Sequence, residues 1–165
     1  MDLIINNRST YFALSYVDDY GISWGGSMLG YLLKPFPFSQ GVVCNFFDLN
    51  PLETTSAMLI TVETLGENSS FGLGTNIIAD LYLGFGLPGV VFFMFFLGKI
   101  SKKLYFLAKK GVIYGILFYA ILLSLSIYMV RSEYFYGLNL FLWTFLITNF
   151  IIGLIKRKLI FIKQI

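Results

Sequence analysis

The sequence predicts an all-α integral membrane protein. About three transmembrane helices follow an extracytoplasmic, partly re-entrant segment, and together they form part of a larger polytopic helical bundle. Three observations carry this prediction. Hydrophobic residues make up 57% of the chain and charged residues only 13%, against roughly 25% charged in an ordinary soluble domain. The apolar residues gather into three runs long enough for a bilayer, the first with the single carboxylate Asp80 and the other two free of charge. The remaining charges are sorted by sign along the chain. By length, 165 residues suggest one domain, but 18 Phe and 11 Tyr are more apolar surface than one small core takes in.

Residues 1–78 come first. They hold "SMLGYLLKPFPF", an apolar run stopped by Pro35 and Pro37, because proline withdraws a backbone donor and clashes with the preceding turn. "GVVCNFF" and "SAMLITV" are apolar as well, but too short to span. Runs of that length suit short interfacial or re-entrant pieces covered by neighbouring helices. Gly21, Gly25, Gly26 and Gly30 punctuate the region as turns do. The whole segment reads as a lid on the membrane face or as a structural loop.

A bilayer core needs about 20 apolar residues of helix. The first run that qualifies is 79–98, the second 111–130 ("GVIYGILFYAILLSLSIYMV") and the third 137–155 ("GLNLFLWTFLITNFIIGLI"), so the transmembrane region is 79–155. "KISKKLYFLAKK" separates the first two runs, and a basic tail, 156–165, follows the third. These two segments carry Lys99, Lys102, Lys103, Lys109, Lys110, Lys156, Arg157, Lys158 and Lys163, nine of the twelve basic residues, and no acidic one. The acidic residues lie elsewhere: Asp2, Asp18, Asp19, Asp48, Glu53, Glu63, Glu67, Asp80 and Glu133. By the positive-inside rule the lysine loop and the C-terminus face the cytoplasm, and residues 1–78 and the loop "RSEYFY" face outside. Lysines set against a membrane are topology anchors, so no nucleic-acid partner is expected. "MDLIINNRSTYF" lacks the basic start, apolar core and cleavage site of a signal peptide. The expectation is therefore that earlier spans of a longer polytopic protein carry residues 1–78 across.

Composition also excludes whole classes of chemistry. With no histidine, Ser-His-Asp triads, Cys-His dyads and zinc-protease motifs are absent. The single cysteine, Cys44, excludes an internal disulfide and a Cys-rich zinc site, and reads as a small packed hydrophobe. Asp18-Asp19 is adjacent, not the spaced pair that grips a metal–nucleotide-sugar, and reads as a solvated turn.

The stretch "FGLGTNIIADLYLGFGLPGVVFFMFFLGK" opens the first span. Thr75 or Asn76 is suited to cap a helix beginning there, and Gly72 and Gly74 permit a sharp turn into it. A helix begun at 76 places Asn76, Asp80 and Gly84 on one face at i, i+4, i+8. Asp80 then sits about one turn inside, where a carboxylate needs a partner or water. Gly84, Gly86 and Gly89 admit close approach of another helix, and Pro88 releases a backbone carbonyl and kinks the span.

"GLGTNIIADLYLGFGLPGVVFFMFFLG" resembles the C-terminal signature of the Wzy-type O-antigen polymerases, the oligosaccharide repeat-unit polymerases. "GGSMLGYLLKPFPFSQG" is similar to their external region, and "VRSEYF" to a short loop between two of their spans. The resemblance covers most of this chain but only the last part of a family member.

What the resemblance implies is a membrane glycosyltransferase of the bacterial inner membrane, multi-pass, with its C-terminus in the cytoplasm. It would move a growing glycan from undecaprenyl pyrophosphate onto the next lipid-linked repeat unit, with no metal, nucleotide sugar or other cofactor needed. Its partners would be the undecaprenyl-pyrophosphate-linked oligosaccharide, membrane lipids and a chain-length regulator protein. A lipid pyrophosphate leaving group calls for external cations. The outward basic residues are Arg8, Lys34 and Arg131. Asp80, Glu67 and Glu133 are the carboxylates able to orient an acceptor hydroxyl or take its proton. The implied catalytic set is Arg131, Asp80, Glu133 and Glu67, and the implied substrate-binding set is Arg8, Lys34, Thr75 and Asn76. Two of them have a plainer alternative: Arg131 as an interfacial anchor paired with Glu133, Asp80 as a structural carboxylate. The rival functions are an O-antigen ligase, from which a histidine in the large outer loop is expected, a flippase or transporter segment of the same pathway, and a non-catalytic or truncated polytopic protein.

Overall fold

The structure, a computed structural model, describes the backbone of residues 2–163 and the side chains of residues 7–155. The side chains of the basic tail, 156–165, lie outside the described residues. Among those described the chain is all-α. It holds α1 (Asp2–Tyr20), α2 (Leu29–Leu33), α3 (Ser39–Phe47), α4 (Ser56–Leu65), α5 (Ile77–Lys109), α6 (Ile113–Ser126) and α7 (Leu138–Lys163), with 3₁₀ turns at Gly26–Met28, Pro51–Glu53 and Met129–Arg131.

Two helices, α5 and α7, are long and apolar enough to cross a membrane, and only 22% and 6% of their most apolar windows are buried. The core helix of a soluble protein would be mostly buried; these expose Phe92, Phe95, Ile147 and Phe150, side chains that belong against lipid or further helices. The expected 111–130 run is α-helical only over Ile113–Ser126, 14 residues, or about 21 Å of rise. It continues into the Met129–Arg131 turn.

Two boundaries differ from expectation. The first is the end of α5. It does not stop near 98 but runs through the lysine-rich segment to Lys109, because lysine favours helix and no strong breaker occurs before Gly111, whose φ is +73°. The lysines thus ride on the helix, with Lys99 Nζ 4.7 Å from the centre of the Phe95 ring one turn earlier. The second is α1. It is 19 residues long, not a short interfacial piece, and it packs along the start of α5. Ala13 of α1, Ile60 of α4, and Ala79 and Leu83 of α5 form one buried cluster.

The kink expected from Pro88 falls at Gly86, whose backbone (φ 66°, ψ −165°) leaves the helical region for one that only glycine adopts cheaply. Pro88 has no N–H to offer the carbonyl of Gly84. The N–H of Gly25 donates to that carbonyl instead, at 3.1 Å, and the Ser23 N–H and hydroxyl donate to the carbonyl of Leu83 at 2.9 and 3.1 Å. The Ser23–Gly25 turn therefore satisfies the broken helix from outside. Gly84 permits the approach: a Cβ there would stand 3.8 Å from Gly25 Cα and 3.0 Å from Met28 Sδ.

Beyond the break, α5 runs antiparallel to α6, and α7 packs on α6 through Phe118–Phe141 and Tyr114–Phe145 ring contacts at 5.7 and 5.8 Å. Cys44 is buried in α3. The first turn of α5, the N-terminus of α4, α2 and the 132–137 loop meet at one end of this hairpin, and the buried polar groups gather there.

Candidate active site

Asp80 is held in place by the start of α5. The Asn76 carboxamide oxygen accepts the N–H groups of Ile78 and Ala79 at 3.1 and 2.9 Å, so Asn76 is the cap. Its amide donates to Thr10 of α1 at 2.9 Å. Gly74, at φ +71°, turns the chain into this cap, and Thr61 of α4 accepts the Leu73 N–H at 3.0 Å. Asp80, one turn on, is fully buried. Its Oδ2 accepts the N–H of Tyr134 at 2.8 Å. Its carboxylate also faces the buried Ser56 hydroxyl, outside strict hydrogen-bond geometry.

That bond fixes the loop carrying Glu133. Tyr134 also donates its hydroxyl to the Phe93 carbonyl at 3.1 Å, and Ser132 donates to the Tyr128 carbonyl at 2.8 Å. Glu133, 3% exposed, points back toward the start of α4. Its carboxylate faces the Ala57 N–H, the Tyr31 hydroxyl and the Lys34 ammonium. The Ala57 N–H lies in the first turn of α4, where backbone donors are unpaired; Thr55 caps the same turn by accepting the Met58 N–H at 3.4 Å. Glu133 Oε1 has no hydrogen-bond partner.

Burial pushes the Glu133 carboxyl above the usual carboxylate range, against the opposing pull of its own backbone N–H, Ala57, Tyr31 and Lys34. The Tyr31 hydroxyl is pushed up to about 12, first by burial and then by the negative charge of Glu133. A carboxyl shifted toward neutral pH, with one oxygen unsatisfied, is suited to exchange a proton with a bound hydroxyl.

A cavity of 690 Å³ with a mixed lining opens in front of Glu133, with Tyr31, Lys34, Gln40, Thr55 and Glu67 among its polar side chains. Lys34 Nζ stands 4.5 Å from the centre of the Tyr31 ring and 5.6 Å from that of Tyr136, which keeps a cation at the cavity wall. Gln40 donates to the Thr54 hydroxyl at 2.9 Å. Among the described residues no three His, Cys, Asp or Glu side chains converge as a metal site.

Of the residues singled out in the sequence, Asp80, Glu133 and Lys34 come together. Glu67 lines the same cavity as an exposed side chain. Thr75 and Asn76 are buried at the head of α5 and do not line the cavity. Arg8 is exposed on α1. Arg131 is exposed in its 3₁₀ turn, two residues from Glu133, and does not line the cavity. Sequence reasoning missed Tyr31, Ser56, Gln40 and Tyr136. The spacing of Tyr31 and Lys34, three apart in "YLLK", is the one local sign that they share a face.

The family model described as O-antigen polysaccharide polymerase Wzy matches residues 20–164. No curated protein and no solved structure matches the chain. The matched stretch takes in the cavity, the carboxylate pair and both helices of membrane-crossing length, and the chain belongs to the O-antigen polysaccharide polymerase Wzy family.

Proposed function

We propose that this chain takes part in polymerising undecaprenyl-pyrophosphate-linked oligosaccharide repeat units into O-antigen or a similar surface polysaccharide. The reaction takes place at the outer face of the bacterial inner membrane. Family membership supports the reaction class, and the sorting of lysines against carboxylates supports the orientation, with the C-terminus in the cytoplasm. A chain-length regulator is the protein partner that this family assignment favours.

The roles follow from position. A hydroxyl of the incoming repeat unit attacks the anomeric carbon of the growing glycan. The new C–O bond forms as the bond to the pyrophosphate oxygen breaks, and the electron pair leaves with undecaprenyl pyrophosphate. Glu133 takes the hydroxyl proton, and its raised pKa places it nearer the working pH than an exposed carboxylate. Tyr31 orients that carboxylate. Lys34 faces the charge that develops on the leaving pyrophosphate. Asp80 positions the Glu133 loop through the Tyr134 N–H, and Glu67 contacts sugar at the cavity wall.

The observation that carries this reading is the buried Glu133, half-satisfied, at the wall of a cavity that Lys34 and Tyr31 also line. The test is Glu133→Gln in the full membrane protein, expressed in cells lacking their own polymerase. The expected result is surface glycan of single repeat units with no ladder, at unchanged protein level. A ladder of normal length would remove Glu133 from the chemistry.

A further inference from the structure

Because α5 continues through the lysine-rich segment to Lys109, its charges are set in order around one helix. At about 100° per residue, Lys99, Lys102, Lys103, Lys109 and Lys110 fall within about 120° of arc, and all five are exposed. Leu97, Ile100 and Leu104 look another way, into the space they share with Leu122 and Leu125 of α6. Toward Gly86 the lysine arc is continued by Val91, Phe92 and Phe95, which are exposed as well. One face of α5 is thus apolar toward Gly86 and cationic toward Gly111, with Lys99 Nζ over the Phe95 ring where the two meet.

These lysines flank the α5–α6 hairpin rather than follow it. The rings of Tyr105 and Tyr119 meet at 5.7 Å, and a Cβ on Gly115 would stand 2.5 Å from the Leu107 Cβ. Measured from Lys110 at the turn, Lys102 and Lys103 stand about 11 Å up the helix axis and Lys99 about 17 Å. Beside them runs α6, 14 residues without a charge. Its rise of about 21 Å is short for a bilayer core of about 30 Å. A short span thins the bilayer around it, and flanking lysines snorkel to the headgroups drawn inward. A lysine at such depth keeps its charge by meeting polar or anionic groups, and no acidic residue lies between Asp80 and Glu133 in the sequence. Water would serve the lysines but not Phe92 and Phe95. A ligand with hydrocarbon chains and an anionic head serves both.

We propose that this face of α5 binds an anionic phospholipid of the cytoplasmic leaflet, its phosphate among Lys99, Lys102 and Lys103 and its acyl chains along Val91, Phe92 and Phe95. Several ammonium groups on one arc favour a headgroup of net negative charge over a zwitterionic one. The bound lipid neutralises the lysines and fixes the depth of the α5–α6 hairpin. It is not the reacting lipid, whose pyrophosphate the proposed reaction places at the outer face. None of these residues lines the cavity in front of Glu133, so the site stands or falls independently of the catalytic reading.

The test is lipid retention by the full membrane protein, released from nanodiscs of equal phosphatidylglycerol and phosphatidylethanolamine and weighed by native mass spectrometry. Phosphatidylglycerol should be retained in preference, and the preference should weaken as salt rises. Lys99→Gln, Lys102→Gln and Lys103→Gln should each lower it about fivefold, whereas Lys→Arg at the same positions should keep it. Lys156→Gln, Arg157→Gln and Lys158→Gln, made together in the tail, should leave most of it. Equal retention of the two lipids overturns the proposal, as does a preference lost with the tail and kept in the α5 variants. Amine acylation of the parent protein gives a readout that needs no variant. Lys102 and Lys103 should be protected by phosphatidylglycerol and acylated in nanodiscs of phosphatidylethanolamine alone. Equal protection in both would put a protein segment on this face and overturn the lipid site.

Discussion

Replacing Asp80 separates a catalytic role from a positioning one. Its Oδ2 accepts the Tyr134 N–H at 2.8 Å in a fully buried setting. Asp80→Ala strands that donor, which costs about 1–3 kcal/mol. The cost falls on the docked 132–137 loop and lowers its docking equilibrium constant about 5- to 150-fold. Polymerisation by a docked loop should fall by up to the same factor. Asp80→Asn keeps a carbonyl oxygen for Tyr134 and an amide that can face the Ser56 hydroxyl in place of the carboxylate oxygen. It should therefore retain activity within a few-fold of the parent. The assay is the rate of ladder growth in membranes with matched protein levels, together with hydrogen exchange at the Tyr134 amide. That amide should exchange faster in the alanine variant and as slowly as the parent in the asparagine variant. If Asp80→Asn is as inactive as Asp80→Ala while the amide stays protected, Asp80 acts in the chemistry and the positioning argument is wrong.

The remaining predictions concern Glu133, Asn76 and the cations. Burial raises the Glu133 pKa, so the base is idle while protonated and activity should rise with pH along a limb displaced above the ordinary carboxylate range. Glu133→Asp should keep such a limb, and a profile flat from acid to neutral pH would contradict the assignment. Asn76→Ala removes the acceptor for two helix N–H groups and should cost about 1–2 kcal/mol of stability in a detergent melt. If Asn76 only caps, Asn76→Asp restores the melt and leaves the substrate dependence of the rate unchanged; a large rise in KM with a normal melt would make it a substrate ligand. Lys34 lines the cavity whereas Arg131 does not, so Lys34→Ala should shorten the glycan ladder more than Arg131→Ala. The reverse order would return the pyrophosphate to Arg131.

How much of this was legible in the sequence depends on how far apart the interacting residues lie. The cap at Asn76, the buried face of Asn76, Asp80 and Gly84, and the break near Pro88 were readable because each is set within a turn or two. The helical lysine segment was misjudged because charge was read as a loop signal, whereas lysine ends a membrane span without ending a helix. α1 was missed because Asn6, Asn7, Arg8, Asp18 and Asp19 blur its apolar period, and its order comes from packing on α5 and α4. The surroundings of Glu133 were out of reach for a similar reason. Tyr31, Lys34 and Ala57 come from distant parts of the chain, and no spacing around "RSEYFY" announces them.

The break in α5 ties these parts into one device. A straight helix from Ile77 would consume the carbonyls of Leu83 and Gly84 in its own ladder, and the N-terminal segment would then have only side-chain contacts with it. Gly86 and Pro88 release both carbonyls, and the Ser23–Gly25 turn takes them with backbone and hydroxyl donors. That turn leads directly into the Gly26–Met28 3₁₀ turn and α2, which carries Tyr31 and is followed by Lys34. The same helix segment holds Asp80, which fixes the Glu133 loop from the opposite side. Lysine, tyrosine and carboxylate are therefore referenced to one short piece of α5, Ile77 to Phe85, as well as to one another. A segment tied in this way does not swing open as a free lid without breaking these hydrogen bonds, so under the proposed function substrate would reach Glu133 through the cavity in front of it.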